Sequence, residues 1–240
     1  MFAKALILAG GIGSRLRPIT DSIPKCMVPV AGKPMLNYWF DAIAKAEVRD
    51  VLINTHHLAP LVREHLATIN SQGPLRVQEF YEPNLLGSAG TVHANRDWAS
   101  DADVILIIYA DNLSTANLGD MLRLHGSHNE PFTMMLFHAP NPSACGIAET
   151  DESMRIVGFD EKPKAPRSDL ANAGLYVLDA DAYREIADMN AFDLGMEVIP
   201  RFVGRMRAWV PNCYHRDIGT MESLQQAELD APHYFSSPQL

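Results

Sequence analysis

Residues 6–18 read Leu-Ile-Leu-Ala-Gly-Gly-Ile-Gly-Ser-Arg-Leu-Arg-Pro, a short apolar run that passes directly into a glycine-rich turn and two arginines. An apolar run without polar alternation is typical of a β-strand that is covered on both faces. Glycines let the backbone approach a phosphate closely and point N–H groups at it, and Arg15 adds a fork of charged donors. The stretch therefore predicts a first strand that ends at a phosphate-binding turn, with a nucleoside triphosphate as its natural ligand.

Apolar runs of the same kind recur along the chain, at 51–53, 77–80, 104–109, 133–137 and 173–178. Between the first two strands, apolar residues fall at helical spacing from Met35 to Ile43, and Pro34 precedes them at a position that tolerates its missing N–H. Alternating strands and helices predict an α/β fold with a mixed, mainly parallel sheet. From 141 to 169 the segments become short and interrupted by polar residues, which predicts a small β-ribbon lobe on the substrate side.

Length and charge limit the classes of protein to consider. The chain has 240 residues, of which 47% are hydrophobic, enough for one sizeable core. We therefore predict one domain over residues 1–230 and a C-terminal tail at 231–240. The 20 Lys and Arg against 29 Asp and Glu give a net charge of −9, which disfavours nucleic acid and anionic membranes as partners. An anionic ligand must then be held by locally clustered cations, backbone N–H groups or a metal.

The cysteines and the N-terminus bear on the compartment. Three cysteines lie at unrelated spacings, without a paired Cys-x-x-Cys pattern, as expected of free thiols in a reducing environment. The first apolar run is too short for the core of a signal peptide, and no later run approaches the roughly 18 residues that a membrane span needs. We expect a cytoplasmic protein.

Two other phosphate-binding turns fit the glycine-rich segment poorly. The dinucleotide-binding fingerprint requires a third glycine at position 16, where Leu16 stands. The P-loop requires Gly-Lys-Ser/Thr, where the chain has Ser14-Arg15-Leu16. The turn therefore belongs to a different class of phosphate site, or is structural.

A lysine and two aspartates are candidates for the same phosphate site. Lys25 follows a proline ten residues after Arg15 and could bring a point charge to the phosphates. Asp111 follows a very apolar strand, at the edge where open α/β sheets bind ligands, although a helix cap or turn would also explain it. Asp217 lies in a short turn beside a glycine, and the two carboxylates together could hold an octahedral Mg²⁺. His125 and His128 have no partner that completes a zinc set, and we assign them no metal role.

A second group of polar residues suits a sugar phosphate. Glu161 and Lys162 end the ribbon-like segment, and Asn172 opens the next strand. A lysine can bind a phosphate, while a carboxylate and an amide can bind vicinal hydroxyls. The ordinary alternative is a solvated salt bridge in a loop, and these residues alone do not exclude it.

Seven short motifs, taken in order, resemble those of the sugar-1-phosphate nucleotidyltransferases, also called nucleotide-sugar pyrophosphorylases, over about residues 3–228. They are LAGGIGSRLRP, PK, LLGSAG, YAD, FDEKPK, NAG and DIGT. Seven motifs in this order are far more specific than any one of them. The chain is most similar to the short mannose-1-phosphate or heptose-1-phosphate guanylyltransferases, which lack the C-terminal domains of longer members.

The resemblance implies a Rossmann-like, GT-A-like nucleotidyltransferase fold, which is a three-layer α/β sandwich. It also implies transfer of a nucleotidyl group from a nucleoside triphosphate, with GTP favoured, to a sugar 1-phosphate, with Mg²⁺ as cofactor and pyrophosphate as the second product. Which sugar is used, and whether the chain forms a homo-oligomer, stay open.

The same resemblance implies roles for individual residues. The nucleotide side would consist of Leu8, Ala9, Gly10, Gly11, Gly13, Ser14, Arg15, Lys25, Glu82, Gly87 and Asp111. The sugar-phosphate side would consist of Gly146, Glu161, Lys162 and Asn172. Catalysis would depend on Arg15, Lys25, Asp111 and Asp217, of which the two aspartates would hold Mg²⁺. Two departures from the family pattern, Ala110 in place of a common glycine and Ser14 in place of a common threonine, are conservative.

Glu82 suggests which base is bound. It precedes Gly87 by five residues, at the place where thymidylyl and uridylyl members tend to present an amide. A carboxylate can accept two hydrogen bonds from guanine N1–H and the 2-amino group, whereas thymine and uracil offer one N3–H between two carbonyl oxygens. We therefore hypothesise that Glu82 selects guanine. The alternative is a glutamate on an exposed loop.

The sequence leaves four alternative functions open. A thymidylyl- or uridylyltransferase on glucose-type 1-phosphates would keep both the chemistry and the type of acceptor. A cytidylyltransferase on an alcohol phosphate such as phosphocholine would keep the chemistry, but a choline site would require an aromatic cage. A regulatory subunit that binds a nucleotide sugar without turnover is disfavoured by the two aspartates and Lys25. An NAD-dependent oxidoreductase is disfavoured by Leu16 and Arg17.

Overall fold

The structure is a computed structural model that describes residues 1–235. The chain forms two compact units, each assembled from separated stretches of sequence. Unit 1 consists of Met1–Ala5, Leu86–Ile108 and Gly119–Pro211, and unit 2 consists of Leu6–Leu85, Tyr109–Leu118 and the residues from Asn212 onward.

The strands and helices follow in chain order. The strands are β1 (Ala3–Leu8), β2 (Pro29–Val30), β3 (Lys33–Pro34), β4 (Asp50–Thr55), β5 (Arg76–Tyr81), β6 (Val104–Tyr109), β7 (Asn112–Ser114), β8 (Phe132–His138), β9 (Gly146–Thr150), β10 (Ile156–Glu161), β11 (Leu170–Asp179), β12 (Met206–Trp209) and β13 (His215–Asp217). The helices are α1 (Met35–Lys45), α2 (Ala59–Gln72), α3 (Gly87–Ala94), α4 (Leu118–His125), α5 (Ala180–Asp188), α6 (Ile199–Phe202) and α7 (Met221–Tyr234). The predicted tail at 231–240 therefore begins inside α7, and its residues 236–240 lie outside the described part.

The strands confirm the predicted α/β fold and mixed sheet. All six apolar runs of the sequence lie in strands, namely β1, β4, β5, β6, β8 and β11. In unit 2, β4 and β5 pair in parallel. In unit 1, β11 runs antiparallel to both β6 and β8, while β12 adds in parallel to β8. The predicted ribbon is formed by β9 and β10, which pair antiparallel.

Two features of unit 2 bring loops together at the carboxyl ends of its strands. The N–H of Ala110, just after β6, donates to the carbonyl of Leu8 at the end of β1 (3.0 Å). The short strands β7 and β13 pair antiparallel, with Asp217 opposite Asn112. Two segments more than 100 residues apart in sequence therefore lie side by side, next to the end of the first strand.

The core of unit 1 contains a buried aromatic group and a polar cluster. Phe132 packs edge-on against Tyr176 and Phe202, with ring centroids 5.4 Å apart in each pair. His125, which is 6% exposed, contacts the hydroxyl of Thr133 through Nδ1 (2.8 Å), and His128 contacts the same hydroxyl through Nε2 (2.9 Å). The two histidines are thus hydrogen-bonded inside the unit.

None of the helices within residues 1–235 is both long and apolar enough to cross a lipid bilayer.

Acid should destabilise unit 1 through His125. Burial, reinforced by the neighbouring His128, lowers the pKa of His125 from 6.5 to about 4. Between those values the unfolded chain binds the proton and the folded chain does not, so stability falls as the pH falls through this window. Replacing His125 by Asn removes this proton linkage. Between pH 7 and pH 5, the decrease in the free energy of unfolding should therefore be about 2 kcal/mol smaller in His125→Asn than in the wild type.

Urea unfolding at both pH values, followed by circular dichroism, measures this difference. His138, an exposed histidine on the same unit, provides the matched control, His138→Asn. An equal pH dependence of the free energy of unfolding in the wild type and His125→Asn would contradict the lowered pKa of His125.

Candidate active site

The glycine-rich turn in unit 2 requires glycine at position 13. Gly13 has a left-handed backbone (φ +70°) at the start of a short 3-10 turn, Ser14–Leu16. Its carbonyl accepts hydrogen bonds from the N–H of Leu16 (2.9 Å) and the hydroxyl of Thr20 (2.8 Å). A Cβ at this position would lie 2.9 Å from Thr20 Cγ2 and 3.1 Å from Lys25 Cβ. Leu16 is fully buried in the core of unit 2, which explains why the third glycine of a dinucleotide fingerprint is absent.

Lys25 lies beside this turn. Pro24 is extended and leads into a second 3-10 turn, Lys25–Met27, whose first side chain packs along the glycines. The Lys25 ammonium group lies 2.5 Å from Asp111 Oδ2, and the Lys25 side chain is 11% exposed. A lysine and an aspartate that are 86 residues apart in sequence therefore form an ion pair next to the turn.

Asp111 and Asp217 lie together in unit 2, on the paired segments around β7 and β13. The N–H of Ile218 donates to the Asp111 carbonyl (2.8 Å). A Cβ at Gly219 would be 2.8 Å from Arg15 Nη2 and 2.9 Å from Asp217 Oδ1, so that residue leaves room for both side chains. Arg15, Lys25, Asp111 and Asp217 thus form one cluster of two cations and two carboxylates.

The electrostatics of this cluster show two carboxylates that oppose each other. Asp217 stays accessible to solvent at the surface of unit 2, but the surrounding protein partly desolvates its carboxyl group and raises its pKa. The charge of Asp111 raises the pKa of Asp217 further, while Lys25 and Arg15 act in the opposite direction.

The donor set fits a divalent cation such as Mg²⁺. Carboxylate oxygens are the ligands that Mg²⁺ prefers, and the mutual repulsion of Asp111 and Asp217 is what such an ion relieves. Residues 1–235 hold no group of three or more His, Cys, Asp or Glu side chains placed to bind a metal. Two carboxylates leave most of the octahedral positions to phosphate oxygens and water, which is how Mg²⁺ is commonly held at phosphate sites.

Glu82 is buried, and it has a partner that the sequence analysis missed. Its side chain is 1% exposed, so the alternative of a glutamate on an exposed loop is wrong. Asn54, near the end of β4, donates from Nδ2 to Glu82 Oε1 (2.9 Å) and accepts the N–H of Ala9 at Oδ1 (2.6 Å). A Cβ at Gly10 would lie 2.9 Å from Asn54 Nδ2, so the glycine makes room for this amide.

Gly87 lies in unit 1, at the start of α3, where packing requires a glycine. Its backbone is left-handed (φ +78°), and a Cβ would be 2.2 Å from the carbonyl oxygen of Phe192. The N–H of Ala89 donates to that same carbonyl (3.0 Å). This structural reason for Gly87 is independent of any contact with a base.

The predicted sugar-phosphate residues of unit 1 lie in one row across three strands. Glu161 on β10 lies opposite Gly146 on β9. On β11, Ala171 pairs with Ile147 of β9, and because these two strands are antiparallel, the next residue, Asn172, falls opposite Gly146. A Cβ at Gly146 would be 2.5 Å from Glu161 Oε2, so the glycine allows the carboxylate to lie over the strand.

Lys162, which follows this row, and Asn172, which belongs to it, have different partners. Lys162 is 67% exposed, with its ammonium group 3.8 Å from Glu161 Oε1. The Asn172 amide spans an irregularity in β11, donating to the Tyr176 hydroxyl (2.8 Å) and accepting the N–H of Gly174 (2.9 Å).

A further carboxylate, Asp193, lies beside Glu161 and was missed. Partial burial raises the pKa of Glu161, Lys162 lowers it, and the charge of Asp193 raises it again. Asp193 caps the turn that follows it by accepting the N–H of Met196 (2.8 Å), and it also accepts from the Ser88 hydroxyl (3.1 Å). The only signal in the sequence was an aspartate two residues before a glycine in an irregular segment.

Residues 4–233 match the nucleotidyl transferase family over most of the chain. The chain belongs to this family. The resemblance drawn from the seven motifs is confirmed.

Relatives in the family carry two kinds of name. The chain is 32% identical over 230 residues to a mannose-1-phosphate guanylyltransferase from Mycobacterium tuberculosis, with 94% of this chain and 64% of the relative covered. It is 36% identical over 186 residues to a glucose-1-phosphate thymidylyltransferase from Streptomyces griseus, with 77% of this chain and 51% of the relative covered. With the enzyme of the same name from Xanthomonas campestris, strain B100, the identity is 32% over 243 residues, with coverage of 93% and 79%. The chain thus spans about half to two thirds of the length of the first two relatives.

The fold is that of a solved structure. The chain superimposes with a TM-score of 0.85 on a Bacillus anthracis protein assigned as a glucose-1-phosphate thymidylyltransferase and crystallised with sucrose. The match covers 99% of this chain and 98% of that chain at 24% sequence identity. At that identity the comparison establishes the fold.

Substituting Gly13 should cost more stability than substituting a glycine in open space. Gly32 has a similar backbone (φ +73°) with nothing within 4 Å of a built Cβ, and therefore serves as the matched control. Gly32→Ala should lower the free energy of unfolding by about 1–2 kcal/mol, the cost of a left-handed Ala. Gly13→Ala should cost about 1–3 kcal/mol more, because the new methyl group meets Thr20 and Lys25.

Urea unfolding measures both losses. Thr20→Ser removes the methyl group that a Cβ at position 13 would meet. Combined with Gly13→Ala it should recover part of the additional loss in the free energy of unfolding, whereas combined with Gly32→Ala it should recover none. Equal losses for the two glycines would show that the close contacts at Gly13 carry no cost.

Proposed function

We propose that this chain transfers a nucleotidyl group from a nucleoside triphosphate to a sugar 1-phosphate and releases pyrophosphate. The observation that carries the proposal is the cluster of Arg15, Lys25, Asp111 and Asp217 beside the glycine-rich turn. Membership of the nucleotidyl transferase family supports the type of reaction, and the names of the relatives support a sugar 1-phosphate as acceptor.

The reaction joins two anions, so the residues must position them and cancel their repulsion. An oxygen of the sugar phosphate attacks the α-phosphorus, a new P–O bond forms, and the bond to pyrophosphate breaks with its electron pair leaving on pyrophosphate. The sugar phosphate is already ionised near pH 7, and no general base is required. Histidines accordingly have no part in the proposal.

The residues of unit 2 would bind and orient the nucleotide. Backbone groups from Leu8 to Gly11 would contact the nucleoside, while Gly13, Ser14 and Arg15 would contact the triphosphate. Lys25 would move from its pair with Asp111 toward the phosphate under attack, and Arg15 would stabilise the charge that develops on pyrophosphate. Asp111 and Asp217 would hold Mg²⁺, which when bound neutralises charge on the α-phosphoryl oxygens.

The residues of unit 1 would bind the acceptor. Glu161 and Asn172, on either side of Gly146, present a carboxylate and an amide suited to vicinal hydroxyls. Lys162, exposed at the end of β10, provides a cation for the acceptor phosphate. The Glu161 carboxylate would accept hydrogen bonds from hydroxyls, and Gly146 would leave the space that a sugar ring needs.

Guanine is the favoured base, on the strength of Glu82. A mannose- or heptose-type 1-phosphate is the favoured acceptor only through the resemblance to guanylyltransferases and the name of the Mycobacterium tuberculosis relative. A buried carboxylate held by Asn54 offers only acceptors, and guanine presents two adjacent donors. The second candidate is a thymidylyltransferase on glucose 1-phosphate, because two of the relatives named above carry that name.

Removing one charged group of the cluster should lower turnover strongly. Asp111→Asn and Lys25→Met should each reduce kcat on the order of 10²–10³-fold, the scale for losing one group that stabilises developing charge. Asp41→Asn and Lys45→Met change exposed residues of α1 and serve as matched controls with wild-type turnover. The assay follows pyrophosphate release from GTP and mannose 1-phosphate.

The same assay tests the metal. Chelation with EDTA should abolish turnover, and added Mg²⁺ should restore it. Full activity in Asp111→Asn, or in the presence of EDTA, would exclude the proposed role of the aspartates. Absence of pyrophosphate release across all four nucleoside triphosphates and a panel of sugar 1-phosphates and phosphocholine would reject the function.

Changing Glu82 should weaken the preference for guanine. In Glu82→Gln the ratio of kcat/KM for GTP to that for dTTP should fall about 10- to 100-fold, because one charge-assisted acceptor is lost. Glu79→Gln, which changes a carboxylate three residues earlier on β5, is the control and should keep the wild-type ratio. An unchanged ratio in Glu82→Gln would remove Glu82 from base selection.

A further inference from the structure

One buried amide connects the phosphate-binding turn to the residue proposed to select the base. Asn54 is 5% exposed, near the end of β4. Its Oδ1 accepts the N–H of Ala9, where the turn begins, and its Nδ2 donates to the carboxylate of Glu82. The two partners are 45 and 28 residues away in sequence.

We propose that Asn54 is a positioning residue that fixes the phosphate-binding turn and the Glu82 carboxylate relative to each other. One consequence of this inference rests on the proposed function. Triphosphate affinity and base selection would then depend on a residue that touches no reacting atom. The inference rests for its geometry on contacts that lie wholly within unit 2.

Asparagine suits this position because one planar group supplies an acceptor and a donor. An aspartate could still accept from Ala9, but its second oxygen would replace the donor that now lies 2.9 Å from Glu82 Oε1. Two buried carboxylates would then face each other without a proton between them, which is strongly unfavourable. A leucine of similar size would leave the Ala9 N–H and the Glu82 carboxylate without this partner.

The contact also accounts for Gly10. A Cβ there would be 2.9 Å from Asn54 Nδ2 and 3.2 Å from Leu85 Cδ2. Gly10 does not have a left-handed backbone, so this glycine is required by the approach of the Asn54 amide rather than by a turn conformation. The first glycine of the motif and Asn54 therefore belong to one arrangement.

The backbone of Glu82 is held independently of Asn54. The N–H of Glu82 donates to the Thr55 carbonyl (2.8 Å), and its own carbonyl contacts His56 Nδ1 (2.8 Å). Changing Asn54 should consequently alter the position of the Glu82 carboxylate and of the start of the turn, while the backbone contacts of Glu82 stay in place. This separates a positioning role from a general role in folding.

Exchanging the donor and the acceptor provides the test. Asn54→Asp should weaken binding of inorganic triphosphate with Mg²⁺, measured by calorimetry, about tenfold or more, the range for a lost hydrogen bond to a charged group. Adding Glu82→Gln should restore binding to within about twofold of wild type, because the amide introduced at position 82 can donate to the carboxylate introduced at position 54 and the total charge returns to that of the wild type. Glu82→Gln alone is measured as the baseline for the exchanged pair, since its amide oxygen can still accept from Asn54.

Asn54→Leu distinguishes the loss of the two Asn54 hydrogen bonds from the effect of an added negative charge. It adds no charge, and it should weaken triphosphate binding and lower the GTP-to-dTTP ratio of kcat/KM together. The exchanged pair should recover triphosphate binding but not the guanine preference. Far-UV circular dichroism and urea unfolding establish that each variant is folded.

Three outcomes decide the matter. Weak binding in Asn54→Asp that recovers in the exchanged pair supports the positioning role. Wild-type triphosphate binding in folded Asn54→Asp and Asn54→Leu, or no recovery in a folded exchanged pair, overturns it. A chain without nucleotidyltransferase activity that still follows the four-variant binding pattern would reject the proposed function and keep the positioning role.

Discussion

The repulsion between Asp111 and Asp217 is the constraint around which the candidate nucleotide site is built. Pairing of β7 with β13 holds the two carboxylates close, and partial desolvation raises the cost of charging Asp217. Lys25 and Arg15 offset that cost, and both come from turns that follow β1. The backbone of Gly13 and the absence of a side chain at Gly219 allow these cations to lie where they do. In a chain of net charge −9, such a local balance is what the proposed binding of a triphosphate would require.

The elements that could be predicted from the sequence are those whose signal is local. A strand buried on both faces must be apolar throughout, and all six uninterrupted apolar runs lie in strands. The glycine-rich turn and Asp111 were found because each follows such a strand directly. Asp217 was harder, since its β-strand has only three residues. The turn near a glycine indicated only that it could share a metal with Asp111, and the resemblance to a family added its role as a metal ligand.

The remaining features depend on contacts between distant segments. Asn54 is a single polar residue near the end of a strand, and nothing local distinguishes an amide that bonds Ala9 and Glu82 from one that faces water. Asp193 is likewise a loop aspartate until its place beside Glu161 is known. The sequence indicated one core, and the two compact units of the structure are each assembled from separated stretches of the chain, which no local pattern outlines. Two of the boundaries between the units fall inside β1 and β6, where no change in composition marks them.

The division of the chain also bears on how specificity can vary within the family. The residues proposed for the nucleotide belong to unit 2, apart from Gly87, and those proposed for the sugar phosphate belong to unit 1. Glu82 and Asn54 belong to unit 2, whereas Glu161, Asn172 and Asp193 belong to unit 1. The chain is 32% identical both to a relative named guanylyltransferase and to one named thymidylyltransferase, so overall identity does not distinguish the two names, and the candidate base and sugar residues are a small fraction of the positions compared.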